Sequence, residues 1–439
     1  MLISILQKKL IHAIRNENGA MTVFSVFCFV TTLMVGGLAI DITNVMMERT
    51  RLQVAADAGA HAALLARDKL TETAAKAEGV RVANLNMPKT VYGDILTTSE
   101  IAFGTWNPVN ASFTAVAGSR TAVHVQPKRN TSTQNAVATY VLKLVGFNEW
   151  NLRVDSIFTT YRPTCLREGF VADGVVDIQS NNSYSNGFCI HSNSYVSLNS
   201  NNYFEPGTVV SMPDLSDIQL PNSGYKTNIG LSSALREGSF YIRIIPRIIE
   251  LIAGLNANDP RYVPSYITSP LVVTLDPKKA ITQAMLIPGR MHNMTCPNKN
   301  MANVANGVTF QSIVLRTNCS IKFGQGVILK NTVVATSNTD ANSLNAASGL
   351  QVGDNDNCAA GGGAQLVTMG GMSFPSNLMV YGGQLLAKGD IQFAANANGI
   401  QGASFVAGGV ISGTSNMAMG FCGTGMDNNF EAEYFKMTY

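Results

Sequence analysis

Charged residues are scarce in this chain of 439 residues, of which only 13% are Asp, Glu, Lys or Arg. The net charge of +3 is small and dispersed along the sequence. A nucleic-acid groove or a site for acidic substrates needs positive charge that is clustered. The composition therefore excludes nucleic acid as a partner, and the length predicts more than one domain.

The spacing of a zinc site is also lacking. No two cysteines are spaced as Cys-x-x-Cys, and the five histidines are scattered. Cys28 lies in the most apolar stretch, and the six cysteines beyond it are Cys165, Cys189, Cys296, Cys319, Cys358 and Cys422. An even number without metal spacing favours disulfides in an oxidising compartment over free buried thiols. Six cysteines allow about fifteen pairings, of which sequential pairing is the simplest.

One stretch has no charged residue at all and is long enough to cross a membrane. Residues 20–40 are uncharged throughout, and as a helix rising about 1.5 Å per residue they span a hydrocarbon core of about 30 Å. A cleavable signal would have a shorter apolar core and a small-residue site after it, whereas Asp41 follows here. The basic residues before the span are Lys8, Lys9 and Arg15. We therefore predict a retained transmembrane helix, a cytoplasmic N-terminus over 1–19 and the rest of the chain outside.

The sequence after the span predicts a helical stalk over residues 41–88. It is rich in Ala, Leu, Arg and Glu, and Pro88 marks its end. The residues that share one face by helical spacing are Ala55, Ala58, Ala62 and Leu65. Small residues on one face allow either a partner helix or the chain's own next domain to pack closely.

A small α+β module is predicted over residues 89–163. Residues 101–106, 121–128 and 152–161 alternate as strands do, whereas 135–146 have helical spacing. The side chains that this helix would bury against the sheet are Val137, Tyr140, Val141 and Leu144. Nothing in the module indicates chemistry.

Residues 164–439 are predicted to form a mostly-β ectodomain. Short apolar segments alternate with Asn, Ser and Gly turns about every 6–10 residues, which favours the stacked coils of a right-handed parallel β-helix. An irregular β-sandwich is the alternative because no strict repeat length is visible. Residues 228–256 are interpreted as a helical insertion of two helices interrupted at Pro246. The glycine-rich segment 344–365 is expected to be a loop that Cys358 can tie down.

The N-terminal sequence also carries a set of residues at specific spacing. They are Gly19, Asp41, Leu52, Gln53, Ala56 and Asp57. An apolar span that ends in Asp41 and is followed by the LQ-x-AADA pattern resembles the TadG-like branch of the TadE/TadG family of Flp (tight-adherence, Tad) pilus-assembly proteins. The resemblance implies a single-pass protein of the bacterial inner membrane with a periplasmic C-terminal domain. Membrane lipid and other Tad pilus-assembly proteins are the implied partners, and a glycan or surface ligand is a further candidate.

Two departures from the family pattern refine this expectation. Relatives that are processed carry Glu five residues after a glycine, whereas Phe24 stands at that distance from Gly19. Some longer relatives carry a D-x-S-x-S metal motif, which the segment Asp214–Ile218 fails at its last position. We therefore expect neither prepilin-type processing nor that metal-dependent adhesion site.

A membrane-tethered carbohydrate-binding or carbohydrate-active β-helix protein is the alternative function. Asp173 and Asp177 would lie about 13 Å apart on an extended strand, too far to act as a pair. His191 lies close to Cys189, where a disulfide is expected. The acidic segments 353–357 and 427–431 offer oxygen ligands for calcium but complete no EF-hand loop.

We therefore predict no enzyme, no catalytic or metal residue and no cofactor. Three or more acidic or basic side chains that converge in a groove of the β-helix would favour the carbohydrate alternative.

Overall fold

The computed structural model describes residues 18–297, 301–413 and 415–438, without the side chains of 18–20 and 396–398. The chain forms two compact units. The first unit contains residues up to Tyr161 together with Phe435–Tyr439, and the second contains Arg162–Tyr434. The C-terminal residues therefore belong to the first unit, although the sequence placed them in the ectodomain. Residues 1–17, with Lys8, Lys9 and Arg15, lie outside the described residues.

The first unit begins with three helices. They are α1 Asn18–Arg67, α2 Glu72–Asn86 and α3 Lys89–Tyr92. Among the described residues, only α1 is long and apolar enough to cross a membrane. The prediction of one continuous stalk is wrong because α1 ends at Arg67 and the chain turns. Thr71 then starts α2, since its hydroxyl accepts the backbone N–H of Ala74.

Helices α1 and α2 pack closely through small residues. A Cβ atom added to Gly79 would lie 2.9 Å from the Cβ of Ala63 and 3.0 Å from the carbonyl oxygen of Gly59. The buried face of α1 includes Ala56 and Ala63, whereas Leu65 is exposed. The small-residue face thus packs on the chain's own downstream helix, rotated from the face that the spacing indicated.

A five-stranded sheet completes the first unit. The strands are β1 Ile101–Asn107, β2 Ser112–Ala115, β3 Ala122–Val125, β8 Ser156–Tyr161 and β30 Tyr434–Met437. They lie side by side in the order β2-β1-β3-β8-β30. Strand β3 pairs antiparallel with both β1 and β8. Leu52, Ala56, Phe103 and Val123 share one core between the helices and this sheet. The C-terminal strand joins at the edge, where the Thr438 N–H donates to the Ile157 carbonyl at 2.9 Å.

The helix predicted over residues 135–146 is wrong. Two short antiparallel pairs lie in this region, and they are β4 Lys128–Arg129 with β7 Leu152–Arg153 and β5 Val137–Ala138 with β6 Glu149–Trp150. A 3₁₀ turn, Leu142–Val145, connects β5 to β6 and ends at Gly146 in the left-handed conformation. Of the side chains expected in the core, only Val137 is fully buried, whereas Tyr140 and Leu144 are exposed.

The second unit is a stack of parallel strands. The strands from β9 to β15 are Gly169–Ala172, Val176–Ile178, Ser183–Tyr184, Cys189–Ser192, Val196–Leu198, Tyr203–Phe204 and Val209–Met212. Those from β16 to β22 are Leu235–Glu237, Val272–Leu275, Met291–Met294, Met301–Asn303, Thr309–Thr317, Ser320–Phe323 and Ile328–Thr336. Those from β23 to β29 are Leu344–Ala346, Gln351–Val352, Ala364–Thr368, Met372–Ala387, Ile391–Ala407, Ile411–Gly413 and Ala418–Gly420.

Successive groups of three strands pair in register. Strands β9, β10 and β11 pair in parallel with β12, β13 and β14, so that Gly169 lies opposite Cys189. Asn181 and Asn201, which occupy equivalent turns, both adopt positive φ angles. Inward side chains such as Phe170, Ile190 and Val210 form a continuous apolar core.

The order of the strands in space differs from their order in the chain. Strands β9, β10 and β11 also pair in parallel with β27, β28 and β29. The first group of strands therefore lies between the second group and the last one. After β16 the chain crosses to β17 at the far end of the stack, and the later strands lead back to β9.

A helix lies in this crossing segment. It is α6 Ile244–Asn256, whereas α5 Leu231–Ala234 comes before β16 and α4 Thr164–Arg167 precedes β9. The predicted interruption at Pro246 is wrong because this proline lies in the first turn of α6, where its missing N–H costs no hydrogen bond. Ile248 and Leu251 pack with outward side chains of the parallel strands, including Val333 and Val367.

Three disulfides join all six cysteines beyond the apolar span, which confirms the disulfide prediction. The pairs are sequential: Cys165–Cys189, Cys296–Cys319 and Cys358–Cys422. Their Cα atoms lie 4.9, 5.3 and 5.6 Å apart. Cys28 is free and exposed on α1.

Candidate functional site

The carboxylate of Asp41 forms the centre of a contact site in the first unit. It follows the apolar span directly, and the residue is only 1% exposed. Its oxygens accept the backbone N–H groups of Tyr140, Val141 and Leu142 at 2.6, 3.0 and 2.7 Å. Burial alone would raise the pKa of Asp41, but the three N–H donors and the nearby Lys143 outweigh it and lower the pKa. The carboxylate therefore fixes the turn after β5 to α1.

Gly37 provides the space for this turn. A Cβ atom at position 37 would lie 2.2 Å from a methyl carbon of Val141, whereas one at Gly36 would meet nothing within 4 Å. Only a glycine at 37 lets the backbone of α1 come this close to Val141. Neither contact could be predicted from local sequence because Asp41 and its partners are about a hundred residues apart.

A second charged group contacts the rest of the first unit about two turns further along α1. Glu48 is buried and accepts hydrogen bonds from Arg129 and, at 2.7 Å, from Arg51. Arg129 also donates to the Asn135 carbonyl at 3.0 Å and lies over the ring of Tyr92. The sequence analysis did not identify this role of Glu48.

The other residues of the family pattern take structural positions in the same helix. Leu52 and Ala56 are fully buried in the core of the first unit. Gln53 donates to Asp57 at 2.9 Å and to the Asp155 carbonyl at 3.1 Å. Gly19 lies at the beginning of α1. This arrangement positions a domain on a helix and brings together no nucleophile and base.

The second unit brings charged side chains together in a cleft, which we call the charged cleft. It consists of two neighbouring cavities of about 140 and 420 Å³. The charged residues that line one or both cavities are Arg162, Arg167, Glu168, Arg247, Arg261, Asp427 and Glu431. The larger cavity lies within the volume range of about 300–1,000 Å³ that is typical of small-ligand sites. All of these charged residues lie before β9, after β29 or on α6 and the segment that follows it, so the charged cleft lies beside the parallel strands and is not a groove formed by them.

Two carboxyl groups in the charged cleft are held by fixed partners. The oxygens of Glu168 accept the backbone N–H groups of Cys422 and Gly423, which lowers the pKa of this carboxyl group. Burial has the larger effect and raises the pKa of Glu168. Burial also raises the pKa of Glu431, although Arg162 at 2.5 Å and Arg167 at 3.9 Å favour its charged form. Both groups therefore hold a proton to higher pH than an ordinary glutamate does.

His191 lies in a buried hydrogen-bonded network instead of a catalytic pair with Cys189. Its Nδ1 atom lies 2.7 Å from the Ser211 hydroxyl, and its Nε2 atom lies 2.9 Å from the Asn193 side-chain oxygen. Its ring stacks on Phe240 at 4.1 Å between centroids. Burial lowers the pKa of His191, and Cys189 is bonded to Cys165. The imidazole is therefore uncharged and covered by neighbouring side chains. Its stacking on Phe240 holds the start of the crossing segment against the parallel strands.

The other acidic candidates bind local partners. Asp173 accepts a hydrogen bond from Asn193 at 2.8 Å, and Asp177 accepts one from Gln179 at 3.3 Å. Asp214 accepts both the N–H and the hydroxyl of Ser216 within one 3₁₀ turn. Asp354 pairs with Lys330 at 2.8 Å. Asp356 caps a turn by accepting the Ala359 N–H. Over the described residues, no group of three or more His, Cys, Asp or Glu side chains is placed to hold a metal ion.

The apolar helix and the units that follow it are consistent with a membrane-anchored protein whose ectodomain is a disulfide-bonded stack of parallel strands. The chain belongs to the family described as "Domain of unknown function (DUF7867)", whose model matches residues 169–423. Its residues 19–75 match a second family, described as "Putative Flp pilus-assembly TadE/G-like". This match confirms the resemblance that the N-terminal residues indicated. No curated protein and no solved structure matched the chain.

The two matched ranges correspond to different parts of the structure. Residues 19–75 contain the apolar span together with Asp41 and Glu48, whereas residues 169–423 contain β9–β29 of the second unit. The Tad match points to involvement in Flp pilus assembly.

Proposed function

We propose that the protein is a membrane-anchored structural and assembly component of a Flp (Tad) type pilus system. The observation that carries the proposal is the Asp41 contact, because it lies within the Tad-matched range and fastens the first unit to the end of the apolar span. Helix α1 thereby serves as both the anchor and part of the core of the first unit. Such a unit is held at a fixed height next to the membrane, where it can bind other Tad pilus-assembly proteins.

The proposed location is the bacterial inner membrane, with a cytoplasmic N-terminus and both units in the periplasm. Three disulfides support an oxidising compartment for the second unit. The positive residues before the span support the same orientation. In this arrangement the second unit is presented for contact with proteins or with a surface ligand.

Complementation in a bacterium that encodes this chain tests the proposal. We expect deletion of the gene to reduce sheared surface Flp pilin strongly, and the full chain to restore it. A version in which a cleavable signal replaces residues 1–40 exports the same two units without the anchor, and we expect it to fail. Surface pilin that is unchanged in the deletion strain would contradict a role in pilus assembly.

We further propose that the second unit is a right-handed parallel β-helix, and that the helical insertion expected over residues 228–256 is confined to α6, because residues 235–237 form β16 of the stack. The pairing of three consecutive strands with the next three supports coils, and parallel crossovers are right-handed in about 98% of cases. An experimental structure with left-handed coils would contradict this assignment.

Glycan binding by the second unit is a second candidate, favoured by the charged cleft. Its larger cavity is lined by Arg162, Arg247, Arg261 and Tyr262, which offer hydrogen-bond donors and an aromatic face. A glycan array probed with the disulfide-bonded protein tests this candidate. We expect binding to fall in Arg162→Ala and to persist in Asp214→Asn, which lies outside the cleft. Equal binding by both variants would exclude the cleft as the glycan site.

Catalysis by the charged cleft can be tested separately with the same protein. Glu168 and Glu431 have the raised pKa of a general acid, but each is committed to structural donors. We therefore expect no cleavage of peptidoglycan or capsular polysaccharide. Hydrolysis that disappears in Glu431→Gln would show that the unit is an enzyme.

A further inference from the structure

An exposed apolar loop lies in the first unit, and the side chains of Tyr140, Leu144 and Val145 take no part in the contacts described so far. It comprises residues 140–147, here named the interface loop. The exposed fractions of Leu144, Val145, Tyr140 and Phe147 are 79%, 61%, 59% and 44%. A group of adjacent large apolar side chains on a surface indicates a binding face.

The Asp41 contact fixes where this loop lies along α1. Its first three residues donate their N–H groups to Asp41, and Val141 touches Gly37. Gly37 precedes Asp41 by four residues, or about 6 Å along a helix axis. The interface loop therefore lies beside the last turn of the apolar span, residues 20–40, at the level where that span ends.

The composition of the loop matches the boundary between lipid headgroups and acyl chains. Lys143 stands between the apolar residues and can keep its ammonium group at the headgroups while its stem lies on lipid. The Phe147 ring packs edge-on against Trp150 at 4.7 Å between centroids. Tyr, Trp and Lys are the residue types that anchor proteins at this depth.

We infer that the interface loop inserts into the outer boundary of the membrane as a second lipid contact beside α1. The apolar span itself must be covered by lipid, and the contact between Gly37 and Val141 makes the loop continuous with it. Two attachments at separate points restrict the tilt of the first unit, which a single helix does not. The inference rests on the proposed membrane anchoring.

Depth-dependent fluorescence quenching tests the insertion. Full-length protein carries an NBD label at Leu144→Cys or, as a control, at Val109→Cys, each with Cys28→Ser. Val109 is 89% exposed in the turn between β1 and β2 and lies outside the loop. A third sample carries the label on native Cys28, which is exposed on the span. Liposomes contain phosphatidylethanolamine and phosphatidylglycerol, with a nitroxide near the top of the acyl chains or, for the Cys28 sample, near the bilayer centre, where that residue lies in the span.

We expect the label at position 144 to be quenched by the nitroxide at least about twofold more than the label at 109. Quenching at Cys28 with equal, weak quenching at 144 and 109 would overturn the inference and leave the anchor intact. A label at 144 that is shielded from both nitroxide lipid and aqueous iodide would also overturn it, by showing a protein contact. Failure to quench Cys28 would show that the anchor itself is wrong, and the loop inference with it.

Discussion

At the scale of single residues, Asp41 explains why an acidic side chain stands at the end of an apolar span. A charge there is costly unless it is paired, and three backbone N–H groups meet that requirement. The family pattern singled out Asp41 from the sequence alone. The role of its carboxylate became clear only from its hydrogen bonds to residues 140–142. Their partner lies about a hundred positions away, which no local periodicity reveals.

Replacing the carboxylate should release the interface loop. In Asp41→Asn the amide group presents its own N–H donors to backbone donors, so two acceptor positions become one. We expect hydrogen exchange at the amides of residues 140–142 to accelerate at least about tenfold. Asp57→Asn, in the same helix, is the matched control and should leave these amides unchanged. Equal protection of these amides in both variants would contradict the contact between Asp41 and residues 140–142.

The same contact should depend on pH in a defined direction. The pKa of Asp41 is lowered in the folded protein, so its stabilising effect is complete above the ordinary aspartate pKa of about 3.9. It should be lost as the pH falls through the lower folded pKa. The difference in amide protection between the native protein and Asp41→Asn should therefore be full at neutral pH and vanish in strong acid. A difference that grows on acidification would be incompatible with this assignment.

At the scale of elements, the helical hairpin of α1 and α2 depends on glycine. A side chain at Gly59 would lie 3.1 Å from the Gly79 carbonyl oxygen, whereas Gly36 has open space. We expect Gly59→Leu to lower the free energy of unfolding of the first unit by about 1–3 kcal/mol through overpacking. Gly36→Leu carries the same gain in helix propensity and serves as the control. Urea unfolding in detergent, monitored by proteolysis, measures the stability of the two variants. Equal stabilities would refute the close packing of α1 and α2.

The disulfide Cys358–Cys422 ties the glycine-rich loop to the segment after β29. Its removal by Cys358→Ala with Cys422→Ala should cost about 2–5 kcal/mol of stability in the second unit. Cys28→Ser, which removes the free thiol, should leave the stability unchanged. Thermal unfolding under non-reducing conditions compares the variants. A double mutant as stable as the native protein would mean that the bond has no structural role.

The elements also show how far sequence reasoning extends. The apolar span, the stacked strands and the presence of disulfides follow from local composition and spacing, whereas the pairing of the six cysteines was left open among about fifteen possibilities. The helix over 135–146 was wrong because its residues donate to Asp41 or lie in a turn, so tertiary contacts override local propensity. The stalk was wrong because Thr71 begins a second helix after a turn of four residues.

At the scale of the whole molecule, the chain order of the second unit could not be predicted. Its first strand, β9, lies between β12 and β27, and Gly169 is opposite Ser404. Such a pairing joins segments that are about 235 residues apart. The hydrogen bonds between strands show that the crossing segment with α6 connects β16, at one end of the stack, to β17, at the other end. The charged cleft was missed for the same reason, since Arg162 and Glu431 meet only after the chain returns.

We propose that α1 anchors the two units on the periplasmic side of the inner membrane. Protease treatment of spheroplasts from cells with epitopes at both ends of the chain tests this claim directly, combined with carbonate extraction of the membranes. We expect the chain to resist carbonate, the C-terminal epitope to be digested and the N-terminal epitope to be protected. A chain released by carbonate, or a C-terminal epitope that survives until the membrane is lysed, would contradict it.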